Sequence, residues 1–217
     1  GFSAKGTLGI AQALYEKHKA LTYPRTDARA LPEDYLATVK KTMDALAGIK
    51  EFAPFAKQVL KGGWVKPNKR IFDNSKISDH FAIIPTLQTP SHLSEPEAKL
   101  YDLVVRRFLA VFFPSAEFLQ TTRITVVGEE HFRTDGRVMQ SPGWLAVYGK
   151  SLQDDTVTLP AIVQGETVKT LEVKAEANQT RPPARLNEAT LLSAMEGAGK
   201  LVEDDELREA MGAKGLG

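Results

Sequence analysis

Lys19-Ala20-Leu21-Thr22-Tyr23-Pro24-Arg25-Thr26-Asp27 is the stretch on which the reading of the chain turns. It is short and stopped by a proline. The residue before a proline is biased to β or polyproline geometry, so Tyr23 is expected in extended chain and not in a helix. Residues two apart in extended chain share a side, which puts Arg25 beside Tyr23. A phenol ionises at about 10, so a tyrosine acting as nucleophile needs a base or a strong positive field. An arginine fork at that position can bind the phosphate the phenolate attacks and stabilise charge in the transition state. A tyrosine packed at a strand end beside a surface arginine fits the same pattern.

Upstream, Leu8, Ala11, Leu14, Tyr15 and His18 fall at helical spacing and predict a helix near 7–18. Downstream, Pro32 opens and Gly48 closes a second helix whose stripe is Leu36, Val39, Met43 and Leu46. Residues 50–75, with Gly62-Gly63 and two prolines, read as loop with one short helix. Ser94 with Glu97 three residues on is a capping box, opening a third helix with Leu100, Leu103, Val104, Phe108 and Val111 on its buried stripe. After Pro114 the period changes to that of strands: Thr121–Val127, Phe132–Met139, Leu145–Tyr148 and Thr167–Val173. Gln179-Thr180-Arg181-Pro182-Pro183 reads as a linker, after which Asn187 caps a helix through Met195 that ends at Gly197. A further helix is expected from Glu203.

Two other segments carry candidate chemistry. In Lys76-Ile77-Ser78-Asp79-His80-Phe81-Ala82-Ile83-Ile84-Pro85-Thr86, His80 sits between polar residues and a stiff apolar run, where it can donate to a phosphate oxygen, move a proton or serve as a surface residue. Arg181-Pro182-Pro183-Ala184-Arg185-Leu186-Asn187-Glu188-Ala189-Thr190 places arginines before a helix N-terminus, which suits a phosphate and equally suits a plain N-cap. His18, His92 and His131 lack partners at metal-ligand spacing and read as structural. Glu203-Asp204-Asp205-Glu206 reads as a solvated helix start and not as a metal site.

Composition excludes several classes. The 217 residues are 42% hydrophobic and 25% charged, enough for a core and unlike a disordered chain. With no cysteine there is no disulfide framework, thiolate zinc site or thiol catalysis. No run approaches the length of a membrane span and no basic-then-apolar leader opens the sequence, so neither is expected. Gly1 in place of an initiator Met, and the closing Gly215-Leu216-Gly217, read as the ends of a piece excised from a longer protein. Net charge is only +1, but residues 1–118 hold 17 Lys+Arg against 12 Asp+Glu, while residues 119–217 hold 11 against 15. The positive half carries Tyr23, Arg25 and His80, an asymmetry that points to nucleic acid.

Taken in order, these segments resemble the type IA DNA topoisomerases, the bacterial topoisomerase III branch above all. Thr22–Asp27 resembles the family's active-site stretch, and Ile10–Glu16 the helix leading into it. His80–Thr86 resembles its histidine motif. Pro182–Arg185 with Glu188–Leu192 and Met195-Glu196 resembles a later helical motif. The resemblance covers nearly all of the chain. It implies that Tyr23 attacks a single-stranded DNA phosphate to form a 5′-phosphotyrosine link, that Arg25 holds the scissile phosphate and that His80 supports it. It assigns DNA contact to Arg25, Thr26, Asp27, Arg185, Glu188 and Thr190. The family passes another strand through the break and reseals it without ATP, relaxing or decatenating DNA.

The implied fold is multi-domain α+β, part of a four-domain toroid. Residues 1–115 would be a helical, winged-helix-like domain carrying the tyrosine. Residues 116–178 would be part of a β-rich arch, and 179–217 the start of a helical DNA-binding domain. The family's Mg²⁺ site lies in an N-terminal Toprim domain that no residues before Tyr23 match, so no metal ligand is expected in this chain. The fragment is therefore expected not to relax supercoiled DNA by itself. The implied partner is single-stranded DNA, with no membrane, a monomeric parent and a cytoplasmic, nucleoid-associated location. Two other readings remain: a non-catalytic winged-helix DNA-binding module, and an interaction domain without DNA affinity.

Overall fold

The computed structural model describes residues 2–149, 157–198 and 206. The helix expected from Glu203 lies outside the described residues, apart from Glu206. Two compact units divide the chain, residues 8–163 and residues 1–7 with 164–217.

The larger unit is built on helices. α1 spans Ala4–Glu16, beginning three residues earlier and ending two earlier than its apolar spacing predicts. It stops where Lys19 turns left-handed at φ 54 and the Ala20 N–H donates to Leu14 O at 2.8 Å. A one-turn 3-10 segment at Glu33–Tyr35 leads into α2, Leu36–Leu46, which buries Val39, Met43 and Leu46 as its stripe predicts. α3, Ala53–Gly62, is the short helix of the 50–75 stretch, and it ends at Gly63 with φ 60, the left-handed stop that glycine favours. α4 spans Glu95–Phe112, and at its start Ser94 donates to Glu97 Oε2 at 2.7 Å from both its N–H and its Oγ.

The buried stripe of α4 differs from the expected one. Tyr101, Val105, Phe108, Leu109 and Phe112 are buried, while Leu103 is 59% and Val111 40% exposed. The helix holds more apolar residues than one face can bury. The large rings of Tyr101, Phe108 and Phe112 set its rotation against Phe52 and Phe72. Leu14, Val39, Met43, Leu46, Val59, Val105, Leu109 and Val147 form the fully enclosed centre of this core.

The change of period after Pro114 marks one antiparallel hairpin, β1 (Glu117–Val127) and β2 (Glu130–Ser141). Gly128 at φ 64 makes its two-residue turn, the geometry that matches strand twist with glycine first. The other two expected strands are not strands. Leu145–Tyr148 lies in a 3-10 helix, Gly143–Tyr148, because glycines at φ 47 and φ 80 bracket it and Trp144 N–H is drawn to Pro114 O. This turn drives Val147 into the helical core, and Arg106 Nη1 donates to its carbonyl at 2.7 Å. Thr167–Val173 has no regular secondary structure and no ladder partner among the described residues, and Leu171 is 88% exposed. β-branched residues favour a pleated, half-buried surface, and here there is none for them to pack on.

Gly143 is required by contact as well as by φ. A Cβ there would stand 2.4 Å from Ser115 O and 2.6 Å from Ala116 N, both backbone atoms. Gly143→Ala is expected to destabilise the chain by about 2 kcal/mol or more, combining strain and overlap. Urea unfolding of the two proteins checks this; equal midpoints would contradict it.

In the smaller unit, α5 spans Glu188–Glu196 and ends at Gly197. Asn187 Oδ1 accepts from Thr190 N–H at 2.9 Å, and Asn187 N–H donates to Thr190 Oγ1 at 2.9 Å. The expected cap is therefore present. Among the described residues, no helix is long and apolar enough to cross a membrane.

Candidate active site

The left-handed turn at Lys19 releases the chain from α1 into an extended run that pairs with residues 82–86. Leu21 and Pro85 form an antiparallel bridge, with Thr22 N–H donating to Ile84 O and Thr86 N–H to Ala20 O, both at 3.0 Å. The Thr22 side chain locks the register twice: its hydroxyl donates to Ala82 O at 3.0 Å and accepts from Ile84 N–H at 2.9 Å. Leu21 is fully buried beneath this pairing and fixes its depth. Beyond it, alternation along extended chain sorts the side chains. Pro24 and Ala30 are buried and Thr26 and Ala28 half-buried, while Arg25, Asp27 and Arg29 are exposed on the other side.

That register delivers His80 to Tyr23. Their ring centroids are 4.3 Å apart with planes inclined at 43°. Thr26 Oγ1 donates to His80 O at 2.8 Å and accepts from Ala28 N–H at 3.0 Å, tying the histidine segment to the tyrosine segment a second time. Asp27 Oδ1 accepts from Ser78 Oγ at 3.3 Å. Tyr15, reaching from the last turn of α1, meets the Tyr23 ring edge-on at 5.4 Å, and Lys19 Nζ lies 5.7 Å from the Tyr15 ring centroid. Tyr23 is thus half-buried, with its ring packed against those of Tyr15 and His80. The Arg25 guanidinium is exposed and makes no hydrogen bond or ion pair among the described residues. Tyr23 and His80 are packed ring to ring, with the exposed Arg25 two residues on in sequence; a phenol, an imidazole and a guanidinium are the types of group able to bind a phosphodiester and attack it.

Tyr101 offers a contrast, since burial pushes its hydroxyl up to about 12, away from nucleophilic use. Of the residues singled out in the sequence, Tyr23, Arg25, Thr26, Asp27 and His80 come together. Arg185, Glu188 and Thr190 belong to the other unit, all exposed, with Glu188 Oε2 accepting from Ala4 N–H at 2.7 Å. The roles of Tyr15, Thr22 and Lys19 were not foreseen, and their only sequence signal is that Tyr15 lies one helix end before Tyr23.

His18 is structural in placement. Its Nε2 lies 3.1 Å from Glu97 Oε1 and joins the end of α1 to the start of α4. The Ser94 hydroxyl and N–H, with His18 behind them, hold the Glu97 carboxyl down at about 2. A carboxyl whose folded value lies below its ordinary 4.5 adds stability above that value and loses it as pH falls towards 2. The stability gap between the native chain and Glu97→Gln should therefore be present above about 4.5 and close as pH falls towards about 2. Unfolding measured across that range checks this; a gap that is unchanged at pH 2 would contradict it.

The family model described as "DNA topoisomerase" matches residues 1–217. DNA topoisomerase 3 of Bacillus cereus is 45% identical over the whole chain, which spans 31% of that protein. DNA topoisomerase 3 of Bacillus subtilis is 44% identical over 95% of the chain and 29% of its own length. The chain thus spans about a third of the curated relatives it matches. Among solved structures, full-length topoisomerase I from Thermotoga maritima aligns with a TM-score of 0.61 at 24% identity, over 92% of this chain and 32% of that one. That likeness concerns fold alone: a mixed α/β fragment of a topoisomerase. With the family's model matched from end to end and the Tyr23 stretch folded against His80, the chain belongs to the DNA topoisomerase family, on its type IA, topoisomerase III-like branch.

Proposed function

We propose that the chain is the tyrosine-bearing part of a type IA topoisomerase that cleaves and rejoins single-stranded DNA, so that its parent relaxes or decatenates DNA without ATP. The observation that carries this is the packing of Tyr23 between His80 and Tyr15 with Arg25 exposed beside it. Arg25 binds the non-bridging oxygens of the scissile phosphate. Tyr23 Oη attacks phosphorus and gives up its proton, the P–O3′ bond breaks, and the 3′ oxygen leaves and gains a proton. His80, packed against the Tyr23 ring, supports the phosphate. The product is a 5′-phosphotyrosine link that keeps the phosphodiester energy, so the reverse attack by the 3′ hydroxyl reseals the strand with no nucleotide cofactor. Thr26 and Asp27 act first as braces of this loop, and Arg185, Glu188 and Thr190 meet DNA further along the strand.

Mg²⁺ bound in the parent would supply positive charge to offset that of the phosphate. We place the ligands of that metal in a Toprim domain of the parent; among the described residues there is no cluster of three or more His, Asp or Glu side chains able to hold it. We assign residues 1–115 to a winged-helix-like domain, 116–178 to part of the arch and 179–217 to the start of a DNA-binding domain. The parent is read as a monomeric, cytoplasmic, nucleoid-associated protein. Purified, the chain is expected to bind a labelled single strand with steep salt dependence and to leave supercoiled plasmid unrelaxed. Supplying the Toprim part in trans tests for rescue; relaxation by the chain alone would contradict the assignment.

A further inference from the structure

The Tyr23 hydroxyl has no hydrogen-bond partner among the described residues, so the direction of its Oη is set by what its ring packs against. Two rings do so, and they differ in how firmly they are held. His80 is exposed and lies in a segment without regular secondary structure. Tyr15 is half-buried in the last turn of α1. Its neighbour Leu14 is fully buried in the core, and His18 ties the same end of the helix to Glu97 at the start of α4. Groups carried on a packed helix hold their geometry more closely than groups on a loop. The Tyr15 ring, inclined at 79° to that of Tyr23 with centroids 5.4 Å apart, is therefore the fixed wall of the nucleophile. Lys19 adds a further contact, its Nζ standing over the Tyr15 ring at 5.7 Å, within the range of a cation–π attraction. Its backbone holds the left-handed φ of 54, a conformation better suited to glycine, which would lack that side chain.

A tyrosine ring that drifts by about 30° stays within one rotamer. A reacting group has to be held more closely, to roughly 0.5 Å and 10–20°. Rotamer preference alone is too loose for attack on phosphorus, and ring packing supplies the missing restraint. We propose that Tyr15 is a positioning residue of the cleavage step: its ring, steadied by Lys19, fixes the direction of Tyr23 Oη, and it touches neither DNA nor the reacting atoms. The inference rests on the reading of Tyr23 as nucleophile given above. It gives α1 a part in the chemical step through a ring and not through a polar atom, since the Tyr15 hydroxyl has no hydrogen-bond partner among the described residues.

The test uses the full-length parent and a labelled single-stranded oligonucleotide, with adduct formation followed in a single turnover so that rate constant and amplitude are read separately. Tyr15→Leu is expected to slow adduct formation about 10- to 100-fold, the scale of a misplacement of about 1 Å, while single-strand affinity stays near native. Tyr15→Phe, which keeps the ring, is expected to restore the native rate constant. Lys19→Gly suits the left-handed turn, so it is expected to keep a native or higher Tm while slowing adduct formation several-fold; a native rate there would overturn the part given to Lys19. A merely structural loss would unfold part of the sample, lowering the amplitude at an unchanged rate constant. If Tyr15→Leu shows that pattern or reacts at the native rate, or if Tyr15→Phe is as slow as Tyr15→Leu, the positioning role fails, and an adduct on Tyr23 still upholds the reading of the nucleophile. If the native parent forms no adduct on Tyr23, both fall together.

Discussion

Tyr23→Phe, made in the full-length parent, is expected to abolish the covalent DNA adduct while leaving single-strand binding intact. Phenylalanine keeps the ring that packs against Tyr15 and His80, and it deletes only the oxygen that would attack phosphorus. Arg25, Thr22 and Thr26 are untouched, so the strand register and the phosphate position are retained. Loss of a nucleophile costs on the order of 10³-fold or more in rate, because no neighbouring group supplies the same oxygen at the same place. Tyr15 meets the Tyr23 ring edge-on from α1, with ring centroids 5.4 Å apart. A gel shift for binding and a denaturing gel for the adduct separate the two effects. Adduct at native levels in the variant would contradict the assignment. Equal loss of binding would favour a DNA-binding module in which the tyrosine serves only as a contact.

Leu21→Ala is expected to be the most damaging of the substitutions near the site that remove no polar atom. Leu21 is fully buried under the bridge to Pro85, in the cluster with Leu14 and Ile84. Truncating a buried leucine costs about 2–5 kcal/mol. For a domain of this size each kcal/mol lowers Tm by roughly 2–4 °C. The site should suffer beyond that loss, because Leu21 fixes the depth of the run whose register brings His80 to Tyr23. At a temperature where the variant remains folded, adduct formation in the parent should fall more than single-strand binding does. Thermal unfolding and adduct yield, measured side by side, check this; a native Tm would contradict it.

Much of the helical part was legible in the sequence for local reasons. Ser94 with Glu97, Asn187 with Gly197, and the α2 stripe are signals contained within a few residues, and the structure carries each of them. What failed was set by tertiary packing. Leu145–Tyr148 has strand composition, yet the approach of Gly143 to Ser115 and the bond from Arg106 wind it into a 3-10 turn. Thr167–Val173 has the composition of a strand and no strand pairing with it among the described residues. The α4 stripe was misplaced because spacing alone does not rank Leu103 against Tyr101 when both sides of a helix are apolar. At the site, the alternation of buried and exposed residues from Pro24 to Ala30 follows from the period of extended chain. The meeting of Tyr23 with His80 does not, since it depends on Thr22 and Thr26 bonding to carbonyls more than fifty residues away.

The central claim is that Tyr23, and no other tyrosine, takes the DNA strand. Its most direct test is to trap the full-length parent on a single-stranded oligonucleotide, digest the protein and locate the nucleotide-bearing residue by mass spectrometry. One modified peptide is expected, with the 5′ phosphate on Tyr23. Modification of Tyr15, only 5.4 Å away ring to ring, or its presence on any other residue, would contradict it.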